Sequence, residues 1–378
     1  MRAERFISSR LDFRGRITVA ATAVSFLVII LSLMVVDGFR REIRRGVSSL
    51  MGDVQLTASA LSYYGEGEAI TAADSLLSLL RSVRGVKSLS PAIYRSAVVN
   101  FDGNLQGVLV KGVPGLSDSS LCVGIPSSLA AKLKVGKGDF LPSYFIGDRV
   151  KVRRFRVADI YQDPIKTDDR YLVYASLEDM QRVNGWDSLK VSALEAVLSE
   201  KYSSPGWQRR KAEELSVLSS LAATASSDRY ARLYDWLHLL DFNVIAILAL
   251  MILVAGFNMV SGLLIMLFRS TGTIGTLKAL GMGDRGVAGV FLRVASSVVL
   301  KGMAIGGGAA LLFAAVQGTT HLIKLNPENY FVSFVPVDVN VLKILGACAL
   351  AYFLIMLILL LPSLFISKVD PANTVRVR

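Results

Sequence analysis

The chain has 378 residues, enough for two or three domains, and its 52% hydrophobic against 19% charged content, with a mean hydropathy of +0.49, is high for a soluble protein. The net charge of +12 raises a nucleic-acid reading. Much of the excess nevertheless sits beside apolar runs, and no stretch alternates aromatic with basic residues as base stacking requires. Flanking positions of that kind suit anionic lipid headgroups, so membrane lipid is an expected partner and nucleic acid is not.

Residues 17–36, 242–268, 302–320 and 344–367 carry no Asp, Glu, Lys or Arg. Each is about long enough to cross a hydrocarbon core of ~30 Å as a helix. The expected architecture is a membrane protein with four transmembrane α-helices, one N-terminal and three C-terminal, and a large mixed α+β extracytoplasmic domain inserted after the first span. The corresponding boundaries are a basic amphipathic lead (1–16), span 1 (17–39), outer domain (40–235), span 2 (236–268), an inner segment (269–285), span 3 (286–318), an outer loop (319–341), span 4 (342–367) and a tail (368–378).

The lead and first run also fit a signal peptide, but 20 uncharged residues exceed the usual h-region and no small-x-small site follows Val36. Arg40, Arg41, Arg44 and Arg45 just beyond this run pull against the positive-inside rule. Pooling the flanks gives eleven basic residues on the side of the termini and eight opposite, which favours termini inside.

In the outer domain, Gly38 to Leu50 reads as a helical continuation of the first span and Asp53–Ala58 as a strand. Thr71–Val83 reads as a helix with Leu76, Leu79, Leu80 and Val83 on one face. Asp102-Gly103 between Ala97–Phe101 and Leu105–Val110 signals a hairpin. Pro126–Leu133 and Ser176–Val183 are helical; Asp148–Ile160, Tyr171–Tyr174 and Leu189–Ser199 are strands. The strongly basic 148–160 strand fits either an acidic partner or a solvated face. Trp207–Ala225 reads as a helix, and Tyr230, Tyr234, Trp236 and His238 are expected at the headgroup layer.

In the second span Asn258 must face another helix or a wet cavity, serving packing or transport. Thr271–Gly283 follows, a short amphipathic segment with Ile274, Leu277 and Leu280 on one helical face and Gly281 and Gly283 placed to stop it. In the third stretch, Arg293 can snorkel to the surface whereas Lys301 requires pairing, water or a displaced span. Gly302 and Gly306, with Gly307 and Gly308, offer either a close helix contact or a hinge. Pro362 predicts a kink in the last span.

Chemistry is sparse. The sequence holds no Walker loop, no H-E-x-x-H, no G-x-S-x-G and no pair of membrane-embedded carboxylates. Its two histidines, His238 and His321, lack neighbouring ligands, so no metal and no catalytic residue is expected. Cys122 and Cys348 imply no disulfide framework.

One span, a domain of about 200 residues, and three clustered spans around Ile274-Gly-Thr-Leu-Lys-Ala-Leu-Gly281 resemble the FtsX-like ABC transporter permeases with a MacB-like periplasmic core domain. Within them the chain is most similar to the lipoprotein-releasing LolC/LolE family. Ala255-Gly-Phe-Asn-Met-Val-Ser261, Val36-Asp-Gly-Phe39, Asn326-Pro-Glu-Asn-Tyr-Phe331, Val335-Pro-Val337, Pro362 and Asp370-Pro371 carry that likeness.

The resemblance implies a multi-pass permease of the bacterial inner membrane, not itself an enzyme. A soluble ABC ATPase dimer holding ATP and Mg would engage Thr273, Ile274, Leu277, Lys278, Leu280 and Gly281; no cofactor would reside in this chain. A second permease, identical or paralogous, would complete a substrate cavity lined by Phe26, Ile29, Ile30, Leu33, Phe257, Asn258 and Ser261, and Gly302 and Gly306 would pack helices. Lipoprotein cargo would pass to a periplasmic carrier. The alternatives are a MacB-type efflux permease for peptides or drugs, or a non-transporting FtsX-type mechanotransmitter controlling a cell-wall hydrolase. The chain departs from the family pattern at Thr273, where an acidic residue is common, and at its Val375-Arg-Val-Arg378 finish.

Overall fold

A computed structural model describes residues 16–59, 68–116, 120–146, 150–163, 171–326 and 330–363. The basic lead before Arg16, Pro327–Asn329 of the aromatic loop, and the Asp370-Pro371 and Val375–Arg378 finish lie outside the described residues. The chain divides into two compact units. One comprises Met1–Arg41, Leu237–Lys324 and Phe334–Arg378, and the other Glu42–Trp236 with Leu325–Ser333.

The helical unit takes its spans from four helices long and apolar enough to cross a membrane: Arg16–Met51, Ala231–Arg269, Asp284–Thr320 and Val341–Ser363. Phe26, Ile29, Ile30 and Met34 of the first helix are buried in one cluster with Met259, Phe291, Val298 and Ile355 from the other three. Lipid is as apolar as these side chains, so burial alone does not hold such helices together; close backbone approach and polar contacts must. Gly302 and Gly306 provide the approach. A Cβ on Gly302 would lie 2.8 Å from Thr22 Cβ, and one on Gly306 would collide with the Ala23 carbonyl. Gly307 faces Ile30, whereas Gly308 meets nothing nearby. Pro362 lies in the last turn of the fourth helix, and the rest of the 342–367 run falls outside the described residues.

The polar contacts collect at one end of this unit. Asp37 accepts from Lys343 (2.7 Å) and Arg40 (3.5 Å), Arg40 also pairs with Asp241, and Arg41 pairs with Asp338. Arg40 and Arg41, two of the four arginines that weigh against the positive-inside count, are therefore paired with carboxylates in place, which simple counting of Lys and Arg does not register. Beside them Gly38 lies so close to the Pro336 carbonyl that a Cβ would clash, and the Asp338 N–H donates to the Met34 carbonyl (3.0 Å). The Val36-Asp-Gly-Phe39 and Val335-Pro-Val337 stretches thus meet.

The α+β unit is built on β1 (Val54–Thr57), β2 (Ile70–Thr71), β3 (Val86–Phe101), β4 (Asn104–Val113), β5 (Cys122–Pro126), β6 (Phe140–Phe145), β7 (Lys151–Tyr161), β8 (Tyr171–Ser176), β9 (Lys190–Val191), β10 (Ala193–Leu198) and β11 (Ala222–Ala225). Nine of these form one sheet in the order β11-β1-β10-β3-β4-β8-β5-β7-β6, while β2 pairs with β9. Because β3 also pairs with β6 through Ala97–Val99, the six strands from β3 to β6 in that order close on themselves. β3 serves both parts: Val86–Ala92 pairs with β10 and Ile93–Phe101 with β4. Asp102 and Gly103, both at positive φ, make the two-residue hairpin turn that the sequence predicts.

Several local expectations change. The helix expected over 71–83 is Asp74–Ser82, and Leu79 is exposed while Leu77 packs against the core. The helix expected over 207–225 runs from Pro205 to Ser219 and stops at Ser220 (φ 55°); Ala222–Ala225 instead pairs antiparallel with β1. The predicted 189–199 strand is interrupted at Ser192, whose hydroxyl accepts the Tyr94 N–H (2.8 Å). In β7, Phe155 and Val157 point inward and Arg154 and Arg156 outward, the pattern of a solvated face. Tyr230 and Tyr234, expected to face lipid headgroups, pack within this unit. Tyr230 is buried, and the Tyr234 hydroxyl meets Gln208 (3.3 Å) and Ser226 (3.4 Å) inside this unit.

The last turn of the first helix belongs to this unit and ends at Gly52, whose φ of +72° favours glycine. The terminal carbonyls of a helix need donors. Lys111 Nζ supplies them to Ser49 (3.1 Å) and Leu50 (2.9 Å), and the Tyr94 hydroxyl donates to Leu50 (2.7 Å). Glu195 pairs with the Lys111 ammonium at 2.8 Å and contacts the Tyr94 hydroxyl. Burial first, then the Glu195 charge, hold the Tyr94 phenol protonated well above its ordinary range. One residue past Gly52, the buried Asp53 carboxylate accepts from the Leu198 N–H (2.7 Å) and Gln208 Nε2 (3.3 Å), and pairs with Arg44 (3.2 Å).

Lys111→Met leaves Glu195 as an uncompensated buried charge, and thermal unfolding of the full chain in detergent micelles is expected to show a loss of about 3–5 kcal/mol. The Lys111→Met, Glu195→Gln double variant recovers part of that loss. Gly306→Leu, read in the same assay, is expected to cost about 1–3 kcal/mol by forcing the first and third helices apart.

Candidate functional site

The segment between the second and third helices folds as its glycine spacing dictates. The second helix ends at Arg269, and a short helix runs from Thr271 to Ala279. Leu280 caps it, and Gly281 turns the chain at φ +89°. The Gly281 N–H donates to the Lys278 carbonyl (2.9 Å) and the Met282 N–H to the Leu277 carbonyl (3.0 Å). This pair of bonds is the Schellman arrangement, and it needs a residue at ease in the left-handed region. Gly283 is then the N-cap of the third helix, with Asp284 in its first turn where the helix dipole favours a carboxylate.

The predicted single apolar face is not what forms. Ile274 is 1% exposed and packs into the helical unit's own core, Leu277 is half-buried, and Leu280 is 80% exposed. The Leu280 N–H still reaches the Thr276 carbonyl (3.0 Å) as in a helix, and six residues at about 100° each carry Leu280 about 120° around the axis from Ile274, off the buried face. Lys278 is nearly buried and pairs with Asp284 (2.9 Å). Gly272, Thr273, Thr276, Ala279, Leu280, Gly281 and Gly283 are what the segment exposes, a small, neutral surface with one prominent leucine.

Within this single chain, the seven residues expected to line a cavity shared with a second permease fall into a buried set on the first helix and a more open set on the second. Phe26, Ile29 and Ile30 are buried in the core of the helical unit and Leu33 packs against it, because the glycine face of the third helix draws the first helix inward. Phe257 is 64% exposed, Ser261 is exposed and Asn258 is half-buried. The open apolar surface of the second helix instead carries Phe242, Leu250, Leu253, Phe257, Ile265 and Phe268. Gly256 packs beneath it against Ile358. Sequence reading missed the pairing of Asp37, Asp241 and Asp338 with the outer basic residues; their position at the ends of apolar runs is the signal that points to it. Among the described residues no cluster of His, Cys, Asp and Glu could hold a metal ion, and Cys122 and Cys348 are both free and buried.

Residues 17–203 match the MacB-like periplasmic core domain, and residues 245–371 match the FtsX-like permease C-terminal domain. The chain belongs to the FtsX-like ABC transporter permeases, as a multi-pass protein of the bacterial inner membrane whose first span is followed by a periplasmic domain. More particularly, it is similar to the lipoprotein-releasing system transmembrane protein LolC of Xylella fastidiosa (strain 9a5c), 21% identical over 97% of this chain and 94% of that one. The LolC protein of Neisseria meningitidis serogroup B (strain MC58) is likewise 21% identical, with the same coverage of both chains. LolE of Haemophilus influenzae (strain Rd) is 21% identical over 93% of this chain and 91% of its own.

Gly281→Val places a β-branched residue at a left-handed position and is expected to undo the cap. Hydrogen exchange in detergent micelles then shows faster exchange at position 281 and at Met282, with protection in the third helix from Val287 onward retained.

Proposed function

We propose that this chain is a permease subunit that uses the work of a separate ABC ATPase dimer to lift lipoproteins out of the inner membrane and hand them to a periplasmic carrier. The observation that carries the reading is its likeness to LolC and LolE proteins over nearly the whole chain, spans and periplasmic domain together. ATP and Mg belong to the ATPase, and a second permease, identical or paralogous, completes the transport path.

With the domain between the first two spans in the periplasm, the segment after the second span faces the cytoplasm. Residues 271–283 are therefore where the ATPase docks. Its contact surface is Thr273 and Leu280, with Leu277 and Gly281 beside them; Ile274 and Lys278 act from behind, the first by anchoring the segment to the helical core and the second through Asp284. This division separates contact from transmission: what the ATPase pushes is exposed, and what carries the push is packed. Extraction of an acylated cargo needs such a source of work, since removing a chain from lipid costs about 0.8 kcal/mol per CH₂. Phe257, Asn258 and Ser261, on or beside the open surface of the second helix, are the cavity residues placed to meet cargo or the second permease. Phe26, Ile29, Ile30 and Leu33 act by holding the helix bundle.

Leu280→Asp is expected to abolish co-purification with a small Walker-motif ATPase while leaving the permease folded and membrane-inserted. Depletion of the chain is expected to leave acylated lipoproteins in the inner membrane; normal lipoprotein sorting with new drug or peptide sensitivity overturns the lipoprotein assignment.

A further inference from the structure

We propose that Arg293, Ser297 and Lys301 of the third helix form a binding site for the phosphate of an anionic phospholipid of the inner leaflet, an inference that rests on the cytoplasmic placement of residues 271–283 above. These three residues follow one another at i, i+4 and i+8 and so share one helix face, with about 12 Å between the first and last Cα. They line an outward-facing concavity of about 490 Å³ with Ser296, Leu300 and Ala304. Ser296 is engaged with the Tyr352 hydroxyl of the fourth helix (2.7 Å), which leaves Ser297 as the exposed hydroxyl between the two cations.

Depth decides which anion reaches the groove. Lys301 precedes Gly302, which packs on Thr22, only five residues into the uncharged run that starts at Ile17. That is about 8 Å below the end of the run, within reach of a lysine side chain extending toward the headgroups. Lys301 is exposed, and among the described residues it makes no ion pair. A second copy of the chain offers no acid at this level, because none of the four apolar runs contains Asp or Glu. The anion available to an outward-facing cation at the inner boundary of the hydrocarbon is a lipid phosphate. An exposed ammonium with a hydroxyl one turn away on the same face matches a headgroup with net negative charge better than a zwitterionic one, while Arg293, half-buried at the inner end of the groove, adds positive potential.

The full chain in nonionic detergent micelles is titrated with dioleoylphosphatidylglycerol or dioleoylphosphatidylcholine, and bound lipid is counted by native mass spectrometry. Tighter binding of phosphatidylglycerol is expected, weakened about fivefold by Lys301→Gln and retained by Lys301→Arg. Leu300→Glu, which sets a carboxylate in the groove, is expected to produce the same loss and stands in should Lys301→Gln fail to give a monodisperse protein. Equal binding of the two lipids, or undiminished phosphatidylglycerol binding in these variants, overturns the site. Displacement by inorganic phosphate at lipid-like concentration overturns the lipid assignment in favour of a free-anion site. Loss of co-purifying ATPase in Leu280→Asp is read separately, so failure of the transport reading and failure of this site remain distinguishable.

Discussion

The unsatisfied carbonyl groups at the end of the first helix impose more on this protein than any other single constraint. A helix that stops in a folded interior must have its last C=O groups met, and Lys111 and Tyr94 meet those of Ser49 and Leu50. Burying an ammonium for this purpose demands a buried carboxylate, Glu195, and the carboxylate in turn keeps the Tyr94 hydroxyl as a donor. These three residues come from β3, β4 and β10, the adjacent strands at the junction between the open and closed parts of the sheet. Asp53, tying β1, β10 and the 205–219 helix together, repeats the same logic two residues further on.

The helical unit solves a different problem. In lipid, apolar side chains gain nothing by leaving the solvent for one another, so adhesion must come from contact density and electrostatics. Small residues supply the first, at Gly302 and Gly306 against the first helix and Gly256 against the fourth. Ion pairs supply the second, and those that tie the first helix to the others gather at one end: Asp37 with Lys343, Arg40 with Asp241, Arg41 with Asp338. The Val36-Asp-Gly-Phe39 and Val335-Pro-Val337 stretches are the two sides of this one junction.

The 271–283 segment shows how little sequence it takes to tie a short helix firmly to a bundle. Ile274 roots the short helix in the bundle, the Gly281 cap redirects the chain, and the Lys278–Asp284 pair joins the segment to the first turn of the third helix. Leu280, the cap residue itself, is the most exposed large apolar group of the segment.

The number and approximate extent of the spans, the inserted α+β domain, the 102–103 hairpin and the glycine stop at 281 are determined by the sequence itself. Each depends on hydropathy or on backbone conformations that one or two neighbouring residues impose. Which face a residue shows was decided by tertiary structure. Phe26 and Ile29 turned inward because Gly306 let the first helix approach, and Ala222–Ala225 became a strand because β1 had an edge to offer. The pairing of Arg40 and Arg41 with aspartates some 200 and 300 residues away was likewise out of reach of local pattern, since attraction between charges depends on distance in space and not along the chain.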